Sequence, residues 1–139
     1  MLLTLSTLGV GLRAGLMRGS SVPAMAVRAR SWCSSAGLPE HLEAMKEELE
    51  SGEAQLFDVR EPEEWAAGHL TQAKLVPLSE LLEGQVPQYE RTTLTYVHCA
   101  AGVRVHRAAP TLEAMGFERV VPLSEGFATL ASLGFEYER

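Results

Sequence analysis

The sequence is poor in cysteine and in aromatic residues, and it has no long apolar run. Its two cysteines, Cys33 and Cys99, belong to no CxxC motif and to no Cys–His pair at zinc-ligand spacing. These absences argue against a disulfide framework and against a structural zinc site. No segment approaches the ~20 apolar residues that a membrane-spanning helix needs. Yet 46% of the 139 residues are hydrophobic, which suffices for the packed core of one domain.

Acidic residues are absent from the first 39 positions, which hold four arginines. A basic segment rich in Ser, Leu and Gly is typical of a mitochondrial transit peptide. We therefore expect residues 1–38 to be a leader that directs the protein to the mitochondrial matrix, and residues 39–139 to form the folded domain. Small residues follow Arg30-Ser31-Trp32, which predicts cleavage after Trp32. A secretory signal, a plastid transit peptide and an uncleaved tail are the alternatives.

The charge balance reverses from Glu40 onward, where 18 acidic residues stand against eight lysines and arginines. A surface of this sign repels the phosphates of nucleic acids. We therefore expect no nucleic-acid partner and, given the lack of a long apolar run, no membrane span.

Short apolar runs alternate with segments of helical periodicity along the rest of the chain. Strands are predicted at residues 55–59, 74–76, 93–98 and 119–122, and helices at 39–51, 61–67, 79–83, 105–115 and 127–133. We expect Ser79 to cap the third helix and Pro110 to kink the fourth helix or delay its start. The alternation predicts an α/β fold, with a parallel sheet of about five strands and helices on both faces.

Cys99 directly follows the most strand-like segment, and small or apolar residues separate it from Arg104. In open α/β sheets, ligands bind beyond the carboxyl ends of the strands. Backbone N–H groups of a tight loop, a helix N-terminus and Arg104 could together hold a Cys99 thiolate or an anion attached to it. We interpret Cys99 as a nucleophile; a buried structural cysteine is the alternative. The predicted substrate-binding residues are Ala100, Ala101, Gly102, Val103 and Arg104.

Three segments, in this order and spacing, resemble the rhodanese family of sulfurtransferases, and especially its short single-domain members. The segments are Leu56–Arg60 with Glu64-Trp65 and Gly68-His69-Leu70, then Cys99-x-x-Gly102-x-Arg104, then Val120–Leu123 with Gly126-Phe127. The resemblance implies a rhodanese-like fold, in which Cys99 takes a sulfane sulfur from thiosulfate or from a persulfide donor. Cyanide, a thiol or a protein cysteine then accepts the sulfur from the Cys99 persulfide. No metal or organic cofactor is implied.

The chain departs from the family pattern at Ala100, where many members have a basic residue, so we expect weaker use of thiosulfate. Asp58 and Arg60 are predicted to support the site structurally, and an Arg60–Glu64 ion pair is plausible at this spacing.

We expect three further side chains to have structural rather than catalytic roles. We expect Trp65 to anchor the core, His69 to hydrogen-bond the backbone and His98 to be packed in the interior.

Two rival functions remain open. His98-Cys99 followed by Arg104 resembles the active site of Cys-dependent phosphatases, although those enzymes place five residues between Cys and Arg and this chain has four. A binding module that keeps the fold without catalysis is the second rival.

Overall fold

The computed structural model describes residues 37–139, so the predicted leader and its cleavage site lie outside the described residues. The helices are α1 (Glu40–Ser51), α2 (Pro62–Ala67), α3 (Leu78–Leu82), α4 (Val105–Ala114) and α5 (Phe127–Ser132). The strands are β1 (Ala54–Asp58), β2 (His69–Leu70), β3 (Ala73–Leu75), β4 (Leu94–His98), β5 (Val120–Pro122) and β6 (Tyr137–Glu138). Within this part of the chain, no helix has the length and apolar character to cross a membrane.

The main sheet has four parallel strands in the order β3-β1-β4-β5. This arrangement confirms the predicted parallel α/β fold. The two remaining strands, β2 and β6, pair with each other in a small antiparallel sheet in which His69 faces Glu138. All carboxyl ends of the main sheet lie at one edge, where α/β proteins bind their ligands.

Side chains of the central strands alternate between two hydrophobic clusters, one on each face of the sheet. Phe57 and Val97 pack in the cluster that includes residues of α3 and α4. Leu56 and Tyr96 pack in the cluster that includes residues of α1 and α5. All five residues of β1 are buried, as expected for a strand covered on both faces. Helices therefore cover both faces of the sheet, as predicted.

The structure excludes one of the two alternatives for Pro110. Pro110 lies inside α4, which begins at Val105, so the delayed start is wrong, and the kink stays a prediction. The first turn of α4 contains i-to-i−3 hydrogen bonds, such as the one from the Arg107 N–H to the Arg104 carbonyl. Ser79 is not the cap of α3, because Pro77 occupies that position and the Ser79 hydroxyl donates to Glu61 instead.

Candidate functional site

Cys99 lies at the end of β4, between the neighbouring strands β1 and β5, and it is 1% exposed. Its Sγ accepts a hydrogen bond from the Gly102 N–H at 3.1 Å. Gly102 has a φ of 75°, a conformation that favours glycine. The loop therefore turns tightly around the sulfur and directs a backbone donor at it.

Residues 124–127 pack against the backbone of this loop and form a hydrogen bond to it. A Cβ on Gly102 would overlap the Ser124 carbonyl, and a Cβ on Gly126 would overlap the Ala100 carbonyl. The Phe127 N–H donates to the Cys99 carbonyl at 2.9 Å. Sequence reasoning recorded Gly126 only as part of a family pattern and missed its contact with the cysteine loop.

The outer side of the loop is apolar and exposed. Ala100 and Ala101 are exposed, and Val103 is 72% exposed. Of the predicted substrate-binding residues, these three can offer an anion only their backbone N–H groups. Gly102 is buried against the Ser124 backbone, and Arg104 is half-buried at the start of α4.

Arg104 and Glu64 form an ion pair at the edge of the loop, which we call the rim pair. Both terminal nitrogens of Arg104 donate to the Glu64 carboxylate, at 2.6 and 2.7 Å. Their side chains are about one third exposed. The hydrogen bond from Arg104 is the main cause that lowers the pKa of Glu64 from its usual 4.5 to about 2. The predicted cationic side chain of the loop is therefore largely neutralised.

The prediction of an ion pair between Arg60 and Glu64 is wrong, because the Arg60 guanidinium pairs with the Asp58 carboxylate. The Arg60 Nη2 lies 2.7 Å from the Asp58 Oδ2, and both side chains are almost fully buried. We call these two residues the buried pair. Arg60 also donates to the Gly68 carbonyl at 2.8 Å, and its guanidinium lies 4.3 Å from the centre of the Phe127 ring. The buried pair thus links the end of β1 to the end of α2 and to the start of α5.

His98 connects the buried pair to the cysteine loop. Its Nε2 lies 3.7 Å from the Asp58 Oδ2, and its Nδ1 lies 3.4 Å from the Cys99 carbonyl. Nε2 is buried and has no hydrogen-bond partner within residues 37–139. Burial lowers the pKa of His98, and the charge of Asp58 opposes that effect only in part. The ring is therefore neutral at physiological pH and, as predicted, packed in the interior.

Trp65 and His69 form a stacked pair on α2 and β2, with ring centres 3.8 Å apart. His69 Nδ1 lies 3.1 Å from the Trp65 carbonyl, which confirms the predicted backbone hydrogen bond. Trp65 itself is only half-buried, so the prediction that it anchors the core is wrong.

No three His, Cys, Asp or Glu side chains converge at a spacing suited to a metal ion in the part of the chain that the structure describes. At Cys99 the structure shows a buried thiol with one backbone donor, the Gly102 N–H, directed at its sulfur.

Comparisons with known proteins bear on the fold and on the family of the chain. The family model described as the rhodanese-like domain matches residues 41–132. The uncharacterised protein YqhL of Bacillus subtilis is 38% identical over 84 residues, which cover 59% of this chain and 66% of that protein. The putative sulfur carrier protein YrkF of the same organism is 32% identical over 95 residues, covering 67% of this chain and 51% of that protein. The chain thus spans less than two thirds of the length of these relatives.

Among solved structures, a thiosulfate sulfurtransferase from Pseudomonas aeruginosa superimposes with a TM-score of 0.59 at 28% sequence identity. The superposition covers 70% of this chain and 19% of that chain.

Proposed function

Because the chain belongs to the rhodanese-like domain family, we propose that it is a sulfurtransferase that carries a sulfane sulfur on Cys99. One observation carries the proposal: the Cys99 Sγ lies at the carboxyl end of the sheet and accepts the Gly102 N–H. A backbone N–H that points at the sulfur can donate a hydrogen bond to an anionic sulfur as well as to a neutral one. The thiolate, not the thiol, is the nucleophile in sulfur transfer.

The first half of the reaction moves one sulfur atom to the protein. The Cys99 thiolate attacks the outer sulfur of a donor such as thiosulfate, and a new S–S bond forms. The donor's own S–S bond breaks, and sulfite leaves with the electron pair. The protein then carries a persulfide anion, and no external oxidant or reductant is needed.

The second half returns the protein to its starting state. Cyanide, or the thiolate of an acceptor, attacks the outer sulfur of the persulfide. The Cys99 thiolate leaves with the electron pair, and the product is thiocyanate or the acceptor's persulfide. Backbone N–H groups suit both states of the protein, since a persulfide and a thiolate carry the same charge.

A phosphatase function is less compatible with this site. A phosphate needs its oxygens held by the arginine that follows the cysteine, and here both terminal nitrogens of Arg104 are bonded to Glu64. The loop also has only four residues between Cys99 and Arg104.

The test is the mass of the intact protein before and after incubation with thiosulfate or a small persulfide. We expect wild type and a Cys33→Ser control to gain one sulfur atom that cyanide removes as thiocyanate. Cys99→Ser should gain none, because a serine hydroxyl does not ionise at neutral pH or carry a persulfide. A sulfur adduct that persists in Cys99→Ser would move the chemistry to another residue. Failure of wild type with every donor would favour a binding module.

We also propose that residues 1–38 direct the protein to the mitochondrial matrix, on the basis of their four arginines and lack of acids. A reporter fused to residues 1–36 should enter mitochondria, and the protein recovered from cells should begin near Cys33. A cytosolic reporter together with an intact Met1 would contradict this proposal and leave the proposed activity untouched.

A further inference from the structure

The cysteine loop offers little free positive charge for a donor. Ala100 is uncharged, and Arg104 is the one basic side chain between residues 99 and 104. Both of its terminal nitrogens are bonded to the Glu64 carboxylate. Charge-assisted bidentate pairs of this length are among the stronger hydrogen bonds in proteins. A donor that needed the guanidinium would first have to displace Glu64.

Glu64 is itself held in position by the first turn of α2. Its carboxylate accepts the Glu61 N–H at 3.1 Å, and Glu61 in turn caps the backbone N–H of Glu64. The Glu61 carboxylate also accepts the Ser79 hydroxyl at 2.7 Å. Because its pKa is about 2, Glu64 stays charged at physiological pH and does not release Arg104 by protonation.

We propose that Glu64 determines which sulfur donors the site accepts: by neutralising Arg104, it favours monoanionic donors that carry an organic group over dianionic thiosulfate. This inference rests on the proposed function and concerns the same site. Val103, which precedes Arg104 in the loop and is 72% exposed, offers the organic group an aliphatic surface.

Other arginines near the loop do not replace Arg104. Arg60 is buried and bonded to Asp58 and to the Gly68 carbonyl. Arg107 lies on the exposed side of α4, three residues further along the helix, where solvent and salt screen its charge. Selection by charge therefore depends mainly on whether Arg104 is paired.

Two donors that differ by one charge provide the probe. Thiosulfate is a dianion, and methanethiosulfonate is a monoanion in which a methyl group replaces one oxygen. With either donor, the Cys99 thiolate forms an S–S bond to the outer sulfur and the donor's S–S bond breaks. Sulfite leaves in the first case and methanesulfinate in the second, each with the electron pair.

Glu64→Gln should free Arg104 and raise kcat/KM for thiosulfate about tenfold at low ionic strength, mostly by lowering KM. The energy of a donor in a fixed field is proportional to its charge, so the gain for methanethiosulfonate should be about threefold. Glu63→Gln is the matched control, because it removes the same charge from an exposed position on the same turn. It should change the ratio of the two kcat/KM values by less than about twofold.

Two further variants keep the test independent of how well Glu64→Gln folds. Arg104→Gln leaves the Glu64 charge unbalanced, so it should lower kcat/KM for thiosulfate more than for methanethiosulfonate. In the Glu64→Gln, Arg104→Gln double variant, the gain for thiosulfate should disappear.

The inference is overturned if Glu64→Gln changes kcat/KM by the same factor for both donors or lowers it for both. It is also overturned if the gain in kcat/KM for thiosulfate survives in the double variant. In those cases Glu64 would only position the loop. The proposed function fails by a different outcome, in which wild type forms no sulfur adduct on Cys99 with either donor.

Discussion

Two carboxylate–guanidinium pairs lie close to the cysteine loop, and their shortest contacts are nearly equal, at 2.7 Å in the buried pair and 2.6 Å in the rim pair. They differ in their access to water. Asp58 and Arg60 are almost completely buried, whereas Glu64 and Arg104 are about one third exposed. Pairs of similar geometry therefore contribute differently to stability. When one partner is lost, the other is left as an unpaired charge that is buried in one pair and hydrated in the other.

The buried pair cannot lose one member without leaving an uncompensated charge inside the protein. Arg60 also holds the Gly68 carbonyl and covers the Phe127 ring, so its loss would affect three elements. The rim pair can lose one member and let solvent stabilise the other. We conclude that the buried pair stabilises the fold. The rim pair instead determines the net charge at the edge of the cysteine loop.

The largest effect should follow from breaking the buried pair. Arg60→Gln should lower the free energy of unfolding by about 3–5 kcal/mol, because the buried Asp58 carboxyl group is left without its partner. Urea denaturation measures this change, and Arg104→Gln is the matched control. Equal losses in the two variants would contradict the distinction between the pairs.

A smaller effect should come from the packing of the loop itself. Gly126→Ala places a methyl group against the Ala100 carbonyl, and we expect it to cost about 1–3 kcal/mol and to slow sulfur loading of Cys99. Gly134→Ala is the control, since open space surrounds that position although its φ of 93° is strained. It should lose stability without losing activity. Normal loading in Gly126→Ala would show that the loop tolerates displacement.

Breaking the rim pair should cost least. Arg104→Gln should lower the free energy of unfolding by about 1 kcal/mol or less, because both partners can be hydrated when they are apart. The loss should shrink further in high salt, which screens exposed charges. Urea denaturation at low and high ionic strength checks this, and a loss as large as that of Arg60→Gln would be incompatible with it.

The pH dependence of the rim pair has a definite sign. Folding lowers the pKa of Glu64 from its usual 4.5 to about 2, so the stability it contributes is fully present above about pH 5. That contribution is lost as the pH falls from about 4.5 to about 2. The difference in unfolding free energy between wild type and Glu64→Gln should be constant between about pH 5 and pH 7 and shrink in acid. A change between pH 5 and 7 would indicate another group.

Local sequence signals were sufficient for most of the fold. Helix α1 lies between Pro39 and Gly52, as its sequence predicts. A short apolar run predicted β1 and a run of β-forming residues predicted β4, each within about one residue of the observed limits. The β2–β6 pair was not predicted, because strands of two residues have no periodicity of their own. Their pairing depends on contacts between segments more than 60 residues apart.

The site was predicted only in part, because some of its contacts also join segments that are far apart in the sequence. The position of Cys99 at a strand end followed from the residues around it. The partner of Arg104 did not, since 40 residues separate it from Glu64. Helical spacing suggested that Arg60 would pair with Glu64, but Arg60 precedes the helix and its side chain turns back to Asp58. The partners of these arginines are set by tertiary packing.

The hydrogen bond from the Phe127 N–H to the Cys99 carbonyl can form during synthesis only after Phe127 has been added to the chain. The segment that supports the cysteine loop lies some 25 residues later in the chain. A ribosome therefore releases Cys99 and its loop before the residues that hold them in place have left the exit tunnel. Until then the thiol lacks the packing that these residues supply. The nascent chain thus has an interval, ended by the emergence of α5, in which the loop that holds Cys99 is not yet supported.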